Sequence, residues 1–316
     1  MSIDLRPYRV GDEAAIADLF HETYGRAMSD ELWRWRFRDS PAGESIIQLA
    51  WDDDILASHY AVTQVSLSFY GEKVSSGLDV TTMTHPDYRG RGLFRKLAEA
   101  TYGHSADVGL GMVWGFPNRN SHRGYAQDLG WVDIWEIPTL RWRAPMLTRL
   151  GTSSLDIAEV FSFDERFDDL WREVRRDHCV MVERDLQYLK WRYTAKPEAQ
   201  YRIVVCQDGH NLFGYAVFKR YEDELQVVDL LIQDDVEIGR QLLVEVARIA
   251  VSESAGAISL WLNVTHPLHR TLERMGFENG APVTYFAGLA LRPDLVNKGV
   301  YDFRNWYITM GDSDVY

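Results

Sequence analysis

The sequence holds 316 residues, 46% of them hydrophobic, which is enough apolar chain for two ordinary globular domains or one large one. A formal net charge of -13 opposes association with nucleic acid or an anionic membrane, and no apolar run approaches the ~20 residues of a membrane span. Cys179 and Cys206 suggest neither a disulfide framework nor a metal site, and the first residues lack a secretion signal, the pattern of a reduced, cytoplasmic protein.

From the amino terminus, residues 3–6 read as a short strand. Asp12 then opens a helix with Ala15, Ile16, Leu19 and Phe20 on one face. Residues 46–51 and 58–69 read as strands, with the turn Asp52-Asp53-Asp54 between them. Residues 78–84 form a fourth strand, 95–102 a helix, 109–116 a strand, 121–129 a helix and 137–143 a closing strand. The order β-α-β-β-β-α-β-α-β predicts a mixed α/β (α+β) domain with helices flanking a central sheet.

The second half repeats the first. Trp35-Arg36-Phe37 with Pro41 returns as Trp191-Arg192-Tyr193 with Pro197, and Tyr60-Ala61-Val62 returns as Tyr215-Ala216-Val217. Asn118 with Gly130-Trp131 matches Asn263 with Gly276-Phe277. Shared order, with an offset that drifts only by about one short loop between the first two pairs and the last two, points to a duplication. The expected domains are 1–145 and 156–292, joined through a Pro, Gly and Ser-bearing stretch within 144–155, with 293–316 as a C-terminal segment.

The most informative stretch runs from Val80 through His85-Pro86-Asp87-Tyr88-Arg89-Gly90-Arg91-Gly92-Leu93-Phe94. A strand ends, a proline turn follows, and two glycines precede a helix. The first turn of a helix leaves N–H groups unpaired at the positive end of its dipole, and glycines let an anion approach them. The segment lacks the nucleotide-hydrolase signature Gly-Lys-Ser/Thr. It resembles the acyl-CoA loop of the GNAT superfamily, Arg/Gln-x-x-Gly-x-Gly/Ala, with Arg89, Gly92 and Phe94 in the three positions; Phe94 departs from the usual small residue. The chain thus looks like a tandem of two GNAT-like domains. The resemblance implies acetyl-CoA or another acyl-CoA held by Arg89, Gly90, Arg91, Gly92, Leu93 and Phe94. It also implies a backbone donor to the thioester near Met83 or Thr84, and contacts from Asn118 and Ser121. The matching place in the second half has one glycine, Gly239, among Asp234, Asp235 and Glu237. Those carboxylates repel a pyrophosphate, so this half is expected to be degenerate.

The resembled enzymes pass the acyl group directly to an amine, which requires a base, an acid and alignment. Asp79 is a candidate base, or a structural hydrogen-bond partner, and strand alternation sets it on one face with Thr81 and Met83. His59 and His122 are further candidates, or ordinary packed histidines. The family's acid is a tyrosine four residues before a Gly-Phe pair. That place is Ala126 here, and Tyr125 lies one residue off, so it is either the acid or a core aromatic. Arg36 and Arg192 bind phosphates or, more in keeping with their presence in both halves, brace their domains. The C-terminal Asp312 and Asp314 either hold an ammonium or sugar hydroxyls or belong to a docked strand. The ending resembles tandem enzymes that acylate amino sugars, some nucleotide-linked. The expected acceptor is a small-molecule amine, and the expected form a monomer or homodimer. An antibiotic, amino-cyclitol or thiol-cofactor precursor is the alternative acceptor, and a non-catalytic acyl-CoA sensor the alternative role.

Overall fold

The computed structural model describes residues 3–143 and 155–316. Apart from Leu155, the expected connection between the halves lies outside the described residues. The chain forms two compact mixed α/β units that do not follow a single cut in the sequence. The first comprises Met1–Leu67, Val74–Trp135 and Tyr285–Tyr301; the second comprises Ser68–Lys73, Glu136–Thr284 and Asp302–Tyr316. Residues 285–301, expected in the second domain and the C-terminal segment, complete the first unit. Among the described residues, no helix is long and apolar enough to cross a membrane.

In the first unit, β1 (Asp4–Pro7), β2 (Ile46–Asp52) and β3 (Ile55–Phe69) pair antiparallel in that order, and β4 (Glu72–Thr84) lies beside β3. β5 (Met112–Gly115) runs parallel to β4, pairing it at Gly77–Val113 and Leu78–Trp114. The other edge of β5 pairs antiparallel with Ala287–Ala290 of the strand Glu278–Ala290. Helix α1 (Glu13–Tyr24) buries Ile16, Leu19 and Phe20, the face its periodicity marks. Helix α2 (Asp30–Phe37), capped by Ser29, carries the Trp35-Arg36-Phe37 repeat inward. Helix α3 (Leu93–Asp107) sets Leu93, Leu97, Ala98 and Tyr102 against Tyr60, Val62 and Val113. Burying one such leucine contributes about 1.5–3 kcal/mol, so this layer fixes the start of α3 against the sheet.

The second unit repeats the plan. Strands Arg202–Asp208, Asn211–Tyr221 and Glu224–Ile232 pair antiparallel, and the last runs parallel to Ala257–Leu260. Helix Val236–Ser252 follows the strand that ends at Ile232, as α3 follows β4.

Candidate active site

The loop between β4 and α3 is shaped by two residues in left-handed conformation, Gly90 (φ 76°) and Gly92 (φ 73°). Gly92 is the residue before α3, and no side chain caps the helix there. The first intrahelical bond comes from Lys96 N to Gly92 O at 3.2 Å, which leaves the amides of Leu93, Phe94 and Arg95 beyond the helix ladder. A Cβ built at Gly90 or Gly92 meets nothing within 4 Å, so the space above this turn is open. Arg89 and Arg91 are exposed around it; Arg91 is oriented by a 2.9 Å bond to Asp87 O and by the Tyr88 ring. Open backbone donors, a dipole end and two guanidinium groups fit a diphosphate.

Beyond Leu78 and Trp114, β4 continues to Thr84 without further pairing to β5. Within this free stretch Thr81 has φ 53°, a conformation that β-branched residues rarely adopt. The expected alternation of Asp79, Thr81 and Met83 on one face therefore fails. One left-handed residue shifts the period, and the Thr82 hydroxyl donates to Asp79 Oδ1 at 3.1 Å instead. The carbonyls around the shift are held by side chains: Thr81 O by His59 Nδ1 (2.9 Å), Thr82 O by Tyr24 OH (3.2 Å) and Met83 O by Ser58 Oγ (2.8 Å).

Asp79 is buried at the mouth of this divergence. Tyr60 OH donates to its Oδ2 and Tyr125 OH to its Oδ1 (2.8 Å), and Tyr102 OH lies 2.6 Å from Tyr60 OH. Burial and the neighbouring carboxylate push the Tyr60 and Tyr125 phenols well above their usual range, so both remain protonated. Tyr125 reaches Asp79 because Gly124–Asp128 is a π turn. The wide turn supplies the rotation that regular helical spacing denies to a residue one place off. Phe94 packs edge-on against Tyr125 (5.3 Å) and tilted against Tyr60 (5.8 Å). A side chain at Gly124 would press on the Phe94 ring at 3.1 Å, so the large residue at 94 and the glycine at 124 accommodate each other.

Residues 4–132 match the family model of the acetyltransferase (GNAT) domain. They form a GNAT domain. The tandem plan also appears in solved structures. A probable N-acyltransferase from Enterococcus faecalis V583 superposes with a TM-score of 0.76 at 13% identity, over 92% of this chain and 73% of that one. A tandem GNAT protein from the clavulanic acid biosynthesis pathway gives 0.60 at 13%, over 92% and 99%. The glucosamine N-acetyltransferase region of a fungal multi-domain β-N-acetylglucosaminidase gives 0.61 at 12%, over 91% and 38%. No curated protein sequence matches the chain. At these identities the structures establish fold. The GNAT domain makes the chain an acyl-CoA-dependent N-acyltransferase, with acetyl-CoA or another acyl-CoA as donor.

The second GNAT-like unit handles the same positions differently. Its helix at Val236 is capped by Asp235, whose carboxylate accepts from Glu237 N at 2.8 Å, and Glu237 pairs with Arg240 at 2.6 Å. The amides that an anion would take are satisfied from within. Gly239 is not the counterpart of Gly92: it lies inside the helix, where a Cβ would stand 2.6 Å from Leu268. Asn263, which matches Asn118 in sequence, donates to the carbonyls of Phe303 (2.7 Å) and Trp306 (3.2 Å), and Tyr307 OH bonds Leu230 O. The C-terminal segment thus occupies the place between the two parallel strands of its own unit.

The remaining expected residues fall into three groups. Asn118 and Ser121 meet after β5: Asn118 Oδ1 accepts from Ser121 N at 3.1 Å, and Ser121 Oγ accepts from Asn118 N at 3.2 Å, on a solvent-facing turn. His122, half-buried, holds Asp133 through Nε2 (2.8 Å) and stacks on Tyr285 at 3.7 Å; local sequence points to neither partner. His59 is instead a core residue. It is wholly buried beside Phe37, and burial lowers its pKa to about 4, so it is neutral. Asp312 is likewise no acceptor contact. It forms a fully buried ion pair with Arg184 (2.9 Å), which also binds Asp229 (3.0 Å). Asp314 is half-buried in the same tail. Arg36 and Arg192 both brace: Arg36 Nη1 donates to Thr81 Oγ1 (2.7 Å), and Arg192 to the carbonyls of Gly311 and Ser313 (2.8 Å each). Replacing Arg184 with methionine leaves two carboxylates buried without their cation. The expected loss is about 3–5 kcal/mol in urea unfolding; a loss below about 1 kcal/mol would show that Arg184 is not the keystone of this unit.

Proposed function

We propose that the GNAT domain transfers an acetyl or short acyl group to the primary amine of a small molecule, with amino sugars as the acceptor class. The observation that carries the reading is the uncapped start of α3, open at Gly90 and Gly92, beside a strand divergence that ends on the buried Tyr125–Asp79 pair. Residues 89–94 hold the diphosphate, and Asn118 and Ser121 line the turn beyond β5. Bound acyl-CoA supplies the thioester. Backbone N–H groups near Met83 and Thr84 receive its carbonyl oxygen as negative charge develops.

His122 takes the ammonium proton at Nδ1, while Asp133 holds the ring in place through Nε2. The amine then attacks the carbonyl carbon; the new C–N bond forms as the C–S bond breaks, and the second nitrogen proton, shed as the amide forms, passes through solvent to restore the Tyr125 hydroxyl. Tyr125 holds the proton that the departing sulfur takes, and Asp79 orients the Tyr125 hydroxyl. The second unit's self-capped helix leaves one donor site among the described residues. The fungal structural neighbour, described as a glucosamine N-acetyltransferase region, supports the amino-sugar class.

The test is thiol release from acetyl-CoA with a panel of amines: D-glucosamine, D-galactosamine, a nucleotide-linked amino sugar, an amino-cyclitol and a polyamine. Release fastest with an amino sugar is expected. Fastest release with another amine would replace the acceptor class. Release with none, alongside acetyl-CoA binding, would favour a sensor.

A further inference from the structure

The tryptophan-arginine-aromatic repeat has no evident part in the chemistry, yet in the first unit it reaches the most strained residue of the free strand. Thr81 is β-branched and sits at φ 53°. Left-handed backbone is costly for such a residue and persists only where its surroundings enforce it. Two side chains grip it from separate elements. Arg36, 8% exposed at the end of α2, donates from Nη1 to Thr81 Oγ1 at 2.7 Å. His59, fully buried in β3, meets Thr81 O through Nδ1 at 2.9 Å. A carbonyl only accepts, so His59 carries its proton on Nδ1. The grip is itself anchored: Thr63 Oγ1 donates to Arg36 O at 3.0 Å, and Phe37 packs edge-on to the His59 ring.

We infer that Arg36 and His59 form a clamp that holds Thr81 left-handed and thereby aims the free end of β4 at the reacting groups. With Thr81 turned over, the Thr82 hydroxyl falls on the Asp79 side and comes within 3.3 Å of Tyr125 OH. In a strand of unbroken alternation Thr82 would face the opposite way. Both clamp residues are positioning residues: they act through Thr81 and touch no reacting atom. The second unit carries the same motif, but Arg192 grips the C-terminal carbonyls instead. The arginine thus serves the active strand only in the unit with the open α3 start.

The inference rests on the acyl-transfer reading, and its test separates the two. Steady-state kinetics are measured with acetyl-CoA and the fastest amine of the panel, for wild type, Arg36→Met, Thr81→Gly and the double variant. Glycine accepts the left-handed conformation without help. Arg36→Met should lower kcat at least tenfold in the wild-type background, with KM for acetyl-CoA within threefold. In the Thr81→Gly background the same change should lower kcat less than threefold. A brace for α2 alone would give equal losses in both backgrounds, and that result, or a loss below twofold in the wild type, overturns the clamp.

Amide hydrogen exchange over residues 79–84 is the second readout and needs no turnover. Arg36→Met and the milder His59→Gln should each accelerate exchange there, while Thr81→Gly should make it insensitive to residue 36. Unchanged exchange in both variants overturns the clamp even if acetyl-CoA proves not to be a substrate. Accelerated exchange in a protein that releases no thiol keeps the clamp and removes the acyl-transfer reading.

Discussion

Replacing Gly92 with glutamate abolishes the rise in melting temperature that acetyl-CoA gives the wild-type protein. Gly92 is the residue before α3, at φ 73°, and a Cβ placed on it has no neighbour within 4 Å. A side chain there therefore enters open space over the loop rather than the protein core. Its carboxylate would stand where the diphosphate is held and compete for the amides of the first turn. One added charge about 4 Å from a phosphate costs roughly 4 kcal/mol at an effective dielectric near 20. That is enough to weaken binding by more than a hundredfold. The backbone penalty for a non-glycine residue in this conformation is about 1–2 kcal/mol, so the melting temperature without ligand should fall only modestly. Gly92→Ala separates the two effects, because it carries the backbone penalty without the charge. It should bind acetyl-CoA more weakly than wild type and far better than the glutamate variant. Differential scanning fluorimetry and titration calorimetry give both quantities, and an undiminished ligand-induced rise in Gly92→Glu would remove the site. Gly239 is no control, since any side chain there strikes Leu268; Asp235→Gly is the better one, because it opens the corresponding cap and should leave acetyl-CoA affinity unchanged.

Much of this is legible where the signal is local. The apolar face of α1, the Gly90 and Gly92 turn and the duplicated Tyr60 and Tyr215 strands all announce themselves within a dozen residues. What fails to show depends on partners far along the chain or on a single backbone angle. Alternation misplaces Thr81, because a threonine gives no local warning of a left-handed conformation. Plain helical spacing leaves Tyr125 off its place, because it assumes α geometry where the chain makes a π turn. Asp312 looks like a ligand group in an odd tail, but its partner Arg184 is 128 residues away and buried with it. Asp133 gives no signal of its own because only the fold brings it to His122. The duplication itself is readable, whereas the exchange of residues 285–301 into the first unit is not, since strand neighbours are chosen by pairing and not by order.

The second large effect concerns the proton. Tyr125→Phe should lower kcat about a hundredfold, the usual size of a lost general acid, while KM for acetyl-CoA stays within threefold. The substitution is conservative in packing: phenylalanine keeps the contacts with Phe94 and Trp131, and Asp79 retains its bonds from Tyr60 and Thr82. A fall in kcat without a fall in stability therefore reports the hydroxyl. The pH dependence sharpens the test. Burial and Asp79 hold the Tyr125 proton on well above pH 10, so wild-type kcat should show no alkaline decline from this group across the range the protein tolerates. Asp79→Asn removes the charge that raises the phenol and brings its loss of a proton nearer to neutrality. That variant should be slower than wild type at pH 7 and should gain an alkaline limb in kcat that the parent lacks. In the Tyr125→Phe background the same Asp79→Asn change should produce no such limb. A limb that persists without the hydroxyl would assign it to another group, and a Tyr125→Phe enzyme as fast as wild type would leave the sulfur to take its proton from water.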